Sequence, residues 1–436
     1  MQTLATSRDV NGDGQLAARH LDISIDEPEE NEAAFPEGGK EGWMCLLGSF
    51  LLMIPSFGFQ TAIGTIQDYV GTHQLSTYST SDIGWIFAVL PFLTLFIGVQ
   101  VGPLFDRYGP RLLLLCGCTA SFLSHLLLAQ CSRYWHFILC LSLCQGLGSA
   151  IVSTVAIAAL SHWFNKRRGF ASGVCMGGSS FGGAILPISL RYLFPTCGWM
   201  WSIRIIALIS LICYSVGIFL VKARLSPGES VGKATIDVRA FASARFSFLT
   251  VAVFSFEFII FGCAALLPTY VRYAGFSSDT QFYSLTVLNS CSFLGRTIPG
   301  LLADKIGRFN ILSVLVVTTL GIMAGVWLPV GSSSEVTLYV VVAIFGFGSG
   351  GFISLAPVCA GQLCSTSEYG RYYGTIYSVA AFGALLTTPI GGQLLQSTTP
   401  HVLIGFYSAV LVVGLACLSV SRWALLDWKW QWKVKV

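Results

Sequence analysis

The sequence predicts an all-α membrane protein, twelve transmembrane helices in two pseudo-symmetric halves of six. Three observations carry that expectation. Of the 436 residues, 54% are apolar and only 11% charged, against ~25% charged in soluble domains, and the mean hydropathy is +0.71. From Gly42 onward apolar runs alternate with short polar breaks, and each run has about 20 residues, the length a helix needs to cross ~30 Å of hydrocarbon. A five-residue pattern also recurs at a constant offset of 198 positions. Together these exclude a water-soluble enzyme, a nucleic-acid binder and a disordered scaffold. Period-2 alternation is absent, which rejects a barrel and leaves helices to pair every backbone amide in lipid.

The elements follow in order. Residues 1–41 hold ten acidic residues against Arg8, Arg19 and Lys40, a composition that cannot offset its ordering entropy by burial, so a disordered acidic tail is expected. It lacks the short apolar core of a signal peptide, and the first long run is expected to act as an uncleaved anchor. Spans are expected at 42–64, 83–102, 111–131, 135–160, 169–190 and 199–221, forming one half over 42–221. A polar linker, 222–245, contains Pro227 and Gly228; spans at 246–270, 281–302, 309–330, 336–360, 371–393 and 401–423 form the second half over 246–423. Residues 424–436 interleave Trp428, Trp430 and Trp432 with Lys429, Lys433 and Lys435, which suits an anchor at the inner membrane surface.

Positively charged loops stay on the cytoplasmic side. With both termini inside, the cytoplasmic segments after the first span hold 17 Lys and Arg, whereas the outer loops hold Arg133, Arg191 and Arg272 only. A multi-pass protein of the cell membrane with cytoplasmic termini is therefore expected. The 14 Cys lie mostly in apolar stretches with no CxxC pair and read as small buried hydrophobes. The six His are dispersed and no G-x-x-x-x-G-K-[ST] loop occurs, so neither a metal centre, a cofactor nor ATP-driven pumping is expected.

The repeat is the most informative feature. Gly102, Leu104, Asp106, Arg107 and Gly109, ending the second span, recur as Gly300, Leu302, Asp304, Lys305 and Gly307, ending the eighth. Repeated six-helix halves joined by a cytoplasmic linker are the architecture of a secondary transporter that alternates access between its halves.

At these residues the chain resembles the major facilitator superfamily, whose signature G-x-L-x-D-R-x-G-R-R is met by Gly102 to Arg111 with Pro110 replacing one basic position. It resembles the monocarboxylate transporter family in particular. Pro36-Glu37-Gly38-Gly39 before Gly42-Trp43 is similar to that family's entry to the first helix, with one residue inserted. Trp163 to Gly173, followed by Gly177-Gly178 and Gly182-Gly183, resembles its fifth-helix motif, and Gly295 to Gly300 its eighth-helix motif, the fungal members especially. The resemblance implies that contacts of the signature lock the cytoplasmic side in one access state and break in the other. Asp106 can face the positive N-terminal end of the eleventh helix near Arg371, and Asp304 that of the fifth, so Asp106, Arg107, Asp304, Lys305 and Arg371 are gating candidates. Their alternative role is as loop stabilisers. Where lactate carriers place a membrane Lys and a coupling Asp, this chain has Phe59-Gln60-Thr61 and Leu285. Lactate–proton symport by that mechanism is not expected.

Three charges lie within the spans, Arg204, Glu257 and Arg296, and each costs at least ~2.5 kcal/mol in a bilayer. Arg296 shares a helix face with Asn289 and Ser292, a polar stripe suited to an anion in a water-filled cavity, or alternatively to holding its own bundle together. Glu257, the lone intramembrane acid, is either a proton-coupling group or half of a structural ion pair. Arg204, near its helix end, is expected to snorkel or pair at the interface. Ser49, Ser56 and Gln60 fall on one face of the first helix and Ser142, Gln145, Ser149 and Ser153 on one face of the fourth; they either line the cavity or pair between helices. The substrate-binding candidates are thus Arg296, Asn289, Ser292, Gln60 and Gln145. The expected function is secondary active transport of a small, weakly acidic organic metabolite, with efflux of a secondary metabolite favoured. Proton-coupled uptake of a monocarboxylate or vitamin-like nutrient is the alternative, and a non-transporting nutrient sensor a remote one. The expected partners are that small molecule, a proton and the lipid bilayer, with the monomer as the working unit and no nucleic acid.

Overall fold

A computed structural model describes residues 37–164, 167–224, 236–364, 369–429 and 434. The acidic tail to residue 36, residues 225–235 of the linker and the Trp430 and Trp432 part of the C-terminal anchor lie outside the described residues, as do the side chains of Asp106, Arg168 and Asp304.

The described chain is helical throughout its apolar runs. We number the spans α1 (Gly39–Thr61, continued by Ile63–Thr72), α2 (Thr80–Tyr108), α3 (Pro110–Leu128), α4 (Tyr134–Leu160), α5 (168–197), α6 (199–220), α7 (Ala244–Tyr273), α8 (Ser278–Ile306), α9 (Arg308–Val330), α10 (Glu335–Gly361), α11 (Tyr369–Ser397) and α12 (Pro400–Leu425). Ten helical stretches are long and apolar enough to cross a membrane. One of the ten, Phe170–Leu220, is two spans, because Gly198 at φ 67° and ψ 176° breaks the helix there. The twelfth span is α8, 29 residues long but too polar to qualify by apolarity alone.

Capping explains where the two signature helices begin and end. Ser79 accepts a hydrogen bond from the Asp82 amide at 3.0 Å while the Asp82 carboxylate accepts from the Ser79 amide at 3.3 Å, a reciprocal box that starts α2. Ser277 accepts from the Thr280 amide at 3.3 Å and starts α8. Gly109 (φ 72°) and Gly307 (φ 111°) stop them in backbone conformations that disfavour a side chain. Both cap pairs are separated by the same 198 positions as the signature, so the repeat extends to the helix boundaries.

Two expected boundaries move. The first span was expected to end at residue 64, with a loop over 65–82; instead α1 continues past a break at Ala62 to Thr72, and the connection shrinks to 73–79. A π-helical turn at Ile54–Gly58 accompanies Pro55, which has no N–H for the ladder. α5 likewise runs beyond residue 190, so Arg191 lies on a helix and not in a loop. Polar residues ended both expected spans, yet a helix that finds a protein neighbour does not need lipid to continue.

The second half has one apolar core, with Phe256, Trp327, Phe345 and Tyr407 at its centre. The first half has two. One, around Phe59, Phe87, Phe137 and Ile203, fills the end away from the termini; the other, around Leu52, Leu114, Val155 and Tyr214, fills the terminal end. Between them runs a buried polar belt of Ser56, Gln60, Thr94, Ser121, His125, Gln145 and Ser149. The halves meet chiefly along three helix pairs, α1 with α7, α2 with α11 and α5 with α8. At the α2–α11 seam a Cβ on Gly84 would stand 3.0 Å from the Thr388 backbone, so any larger residue would have to push the two helices slightly apart.

Candidate functional site

The charged candidates come together where α1, α5, α7 and α8 converge. Arg296, 3% exposed, projects from α8 across the interface and its Nη1 donates to the Met176 carbonyl of α5 at 2.7 Å and to Ser179 Oγ. Its Nε is buried without a protein partner. Glu257 of α7, 5% exposed, is attracted electrostatically to Arg296. Neither charge is exposed to lipid, as the cost of an isolated charge in hydrocarbon requires. The alternative of Arg296 bracing its own bundle takes a different form here, since the carbonyl it binds belongs to the other half.

One turn and three residues away on α8, Asn289 uses its amide nitrogen three times. It donates to Leu285 O at 3.0 Å on its own helix, Gly183 O at 3.1 Å on α5 and Thr61 O at 3.2 Å on α1. Thr61 in turn donates to Ser179 O at 3.2 Å. Thr61, Ser179, Gly183, Asn289 and Arg296 therefore form a polar knot spanning both halves. Ser179 was missed as a partner of Arg296 and Thr61 as a partner of Asn289; Thr61 drew notice only as a departure from the lactate-carrier pattern, and Ser179 sits inside the Gly-rich run of the fifth-helix motif.

The remaining binding candidates do not join the knot. Ser292 packs beside Gly350 of α10, within its own half. Gln60 Nε2 donates to Thr94 Oγ1 at 2.6 Å, and Gln145 Nε2 to Ser149 Oγ at 3.2 Å and Pro55 O at 3.4 Å. Both glutamines thus belong to the polar belt of the first half, and both keep a buried Oε1 without a protein partner. His125 stands in the same belt, its ring 4.4 Å from that of Phe59, with neither ring nitrogen bonded. Most serines of the two neutral stripes bond to backbone carbonyls, Ser49 to Ala156 O at 3.0 Å and Ser142 to Ile86 O at 2.6 Å between helices, and Ser56 to Leu52 O at 2.8 Å and Ser153 to Ser149 O at 2.6 Å within their own.

Of the gating candidates, Asp106 and Asp304 have side chains outside the described residues. Arg107 is exposed, its guanidinium 5.3 Å from the Tyr108 ring centroid, and Lys305 is exposed in the last turn of α8. Arg371 lies 3.5 Å from the carboxylate of Asp237, at the end of the linker, and the Asp237 amide donates to Thr375 Oγ1 at 2.8 Å. This ties the linker to the start of α11. Arg204 stacks its guanidinium 5.0 Å from the ring centroid of Trp201, three residues away on the same helix. Among the described residues no group of three His, Cys, Asp or Glu could hold a metal ion.

Comparison with known proteins adds the following. Residues 45–388 match the family model described as Major Facilitator Superfamily. The chain is 33% identical to the riboflavin transporter of Saccharomyces cerevisiae, over 96% of this chain and 85% of that protein. It is 33% identical to the aspyridones efflux protein of Emericella nidulans, over 89% and 80%. It is 31% identical to the fujikurins efflux protein of Gibberella fujikuroi, over 88% and 82%.

Proposed function

The chain belongs to the Major Facilitator Superfamily and is a multi-pass membrane transporter, and from that premise we propose that it exports a small, weakly acidic organic metabolite by alternating access of its two halves. The observation that supports this reading is Arg296, a buried cation at the junction of the halves that keeps one N–H free. An anion arriving at Nε would compete with α5 for the guanidinium and so couple binding to the seam that must part. Two relatives named as efflux proteins, for aspyridones and for fujikurins, support export. Glu257 is the proton-coupling group in this proposal. The cell membrane is its site, with both termini cytoplasmic, a single chain as the working unit, and Asp106 and Asp304 as the cytoplasmic gate.

Comparative metabolite profiling of cells with and without the gene tests the proposal. Loss of the gene is expected to retain one acidic metabolite inside and deplete it outside; unchanged extracellular metabolites overturn export. A second reading, uptake of a vitamin-like or monocarboxylate nutrient, draws support from the riboflavin transporter, whose alignment extends over nearly this whole chain. It predicts the opposite sign, a deletion strain that grows only when that nutrient is supplied in excess.

A further inference from the structure

On the face opposite the termini, two ion pairs cross from one half to the other. Asp68 of α1, 8% exposed, accepts from Arg272 Nε of α7 at 2.9 Å and from Thr269 Oγ1 at 3.2 Å. Arg191 of α5 grips Asp279 at the start of α8 with two parallel bonds, Nε to Oδ1 at 2.7 Å and Nη2 to Oδ2 at 2.6 Å. Its Nη1 also donates to the Tyr283 hydroxyl, and the guanidinium lies 4.6 Å from that ring's centroid. The third seam, α2 with α11, closes at the same face through neutral bonds, Ser81 Oγ to Pro389 O at 3.0 Å and the Thr80 amide to Gln396 Oε1 at 3.2 Å.

We propose that Asp68–Arg272 and Arg191–Asp279 together form a latch that holds this face closed, and that each transport cycle must open both pairs. In each pair the acid and the base come from different halves, so separation of the halves at this face breaks both. Asp68 reaches Arg272 only because α1 continues past the break at Ala62, and there a close approach to α7 is built in: a Cβ on Gly64 would stand 2.8 Å from the Ala265 carbonyl oxygen. The location also makes release affordable. The side chains of Arg272 and Asp279 are 38% and 55% exposed, so water can hydrate the separated charges, which it could not do at Arg296. The pairs are thus positioning residues for the access switch and take no part in recognising substrate.

The test uses the full chain in lipid nanodiscs, where both faces meet solvent and no substrate is required, so its failure is distinct from failure of the export proposal. Ser81→Cys places a reporter on the neutral seam, and its rate of modification by a charged maleimide is followed by peptide mass spectrometry. Arg272→Gln, which strands a mostly buried carboxylate, is expected to raise the rate about tenfold, and Asp279→Asn at the exposed rim about threefold. The reversed rim pair, Arg191→Asp with Asp279→Arg, is expected to return the rate to within about twofold of the unaltered chain, as a pair restored in the opposite sense should. Rates unchanged in Arg272→Gln and Asp279→Asn overturn the latch. So does a reversed pair that labels as fast as Asp279→Asn, because the effect would then belong to one side chain and not to the pair.

Discussion

Arg296 keeps its proton at every accessible pH, whereas Glu257 can release or take one, and that difference separates their variants. Arg296→Gln is expected to abolish transport of an anionic substrate across the whole pH range, measured as flux in proteoliposomes. Glu257→Gln, which mimics the protonated acid, is expected to abolish accumulation driven by a pH gradient and to spare exchange of preloaded substrate, since exchange needs the access switch but no proton release. Gradient-driven accumulation by Glu257→Gln would make Glu257 a structural counter-charge to Arg296. The knot around Arg296 adds a prediction that follows from its partners. Ser179→Ala removes a hydroxyl acceptor from a buried charge but leaves the Met176 carbonyl at 2.7 Å, so folding is expected to survive with a loss of about 1.5–3 kcal/mol in stability.

At the scale of the helix, caps and close approaches carry the predictions. Ser79→Ala removes the side-chain half of the box that starts α2 and is expected to cost ~1 kcal/mol, read as a lowered melting temperature in detergent. Gly84→Val is a different kind of change. Its Cβ would meet the Thr388 backbone, which cannot rotate away as a side chain can, and overpacking of this sort costs ~1–3 kcal/mol. The strain falls on the α2–α11 seam, so closure at this face is expected to weaken in Gly84→Val and not in Ser79→Ala. Helix extents were legible in the sequence wherever lipid set them, as at α3 and α12. They were not legible at the far ends of α1 and α5, where Asp68 and Arg191 read as loop residues. Those ends are stabilised by α7 and α8, elements some 90 to 200 positions away in the chain, and no local pattern announces such a partner.

For the whole molecule, an even number of crossings leaves both termini on one side, and the Lys and Arg bias supports the proposal that this side is the cytosolic one. A protease site at either terminus is expected to be cut only from the cytosol and one in the 73–79 connection only from outside; termini on opposite sides would exclude twelve spans. If Asp106 is the proposed gate, Asp106→Asn is expected to keep folding and membrane expression while losing most transport, because a neutral amide gives up a charge–dipole interaction of up to ~1 kcal/mol with the helix end it is proposed to face. Unchanged kinetics would leave Asp106 a loop stabiliser. The variant separates the two ends of the molecule, since the latch at the opposite face should be untouched.

Composition, run length and the 198-residue repeat by themselves determined the class, the number of spans and the two halves, because the bilayer imposes one length and one backbone solution on any chain that crosses it. They also singled out Arg296 and Glu257, since a charge inside a span is costly enough to be conspicuous in a list of letters. Which residues meet was decided by the tertiary structure alone. Periodicity put Asn289, Ser292 and Arg296 on one stripe, but whether a face of α8 looks onto α5 or α10 depends on how two bundles pack, and Ser292 went to α10 while Asn289 and Arg296 went to α5. Gln60 and Gln145 entered a belt inside one half for the same reason. A neutral side chain in a membrane protein bonds to whatever carbonyl its neighbours present, and that neighbour is chosen by the fold of the entire chain.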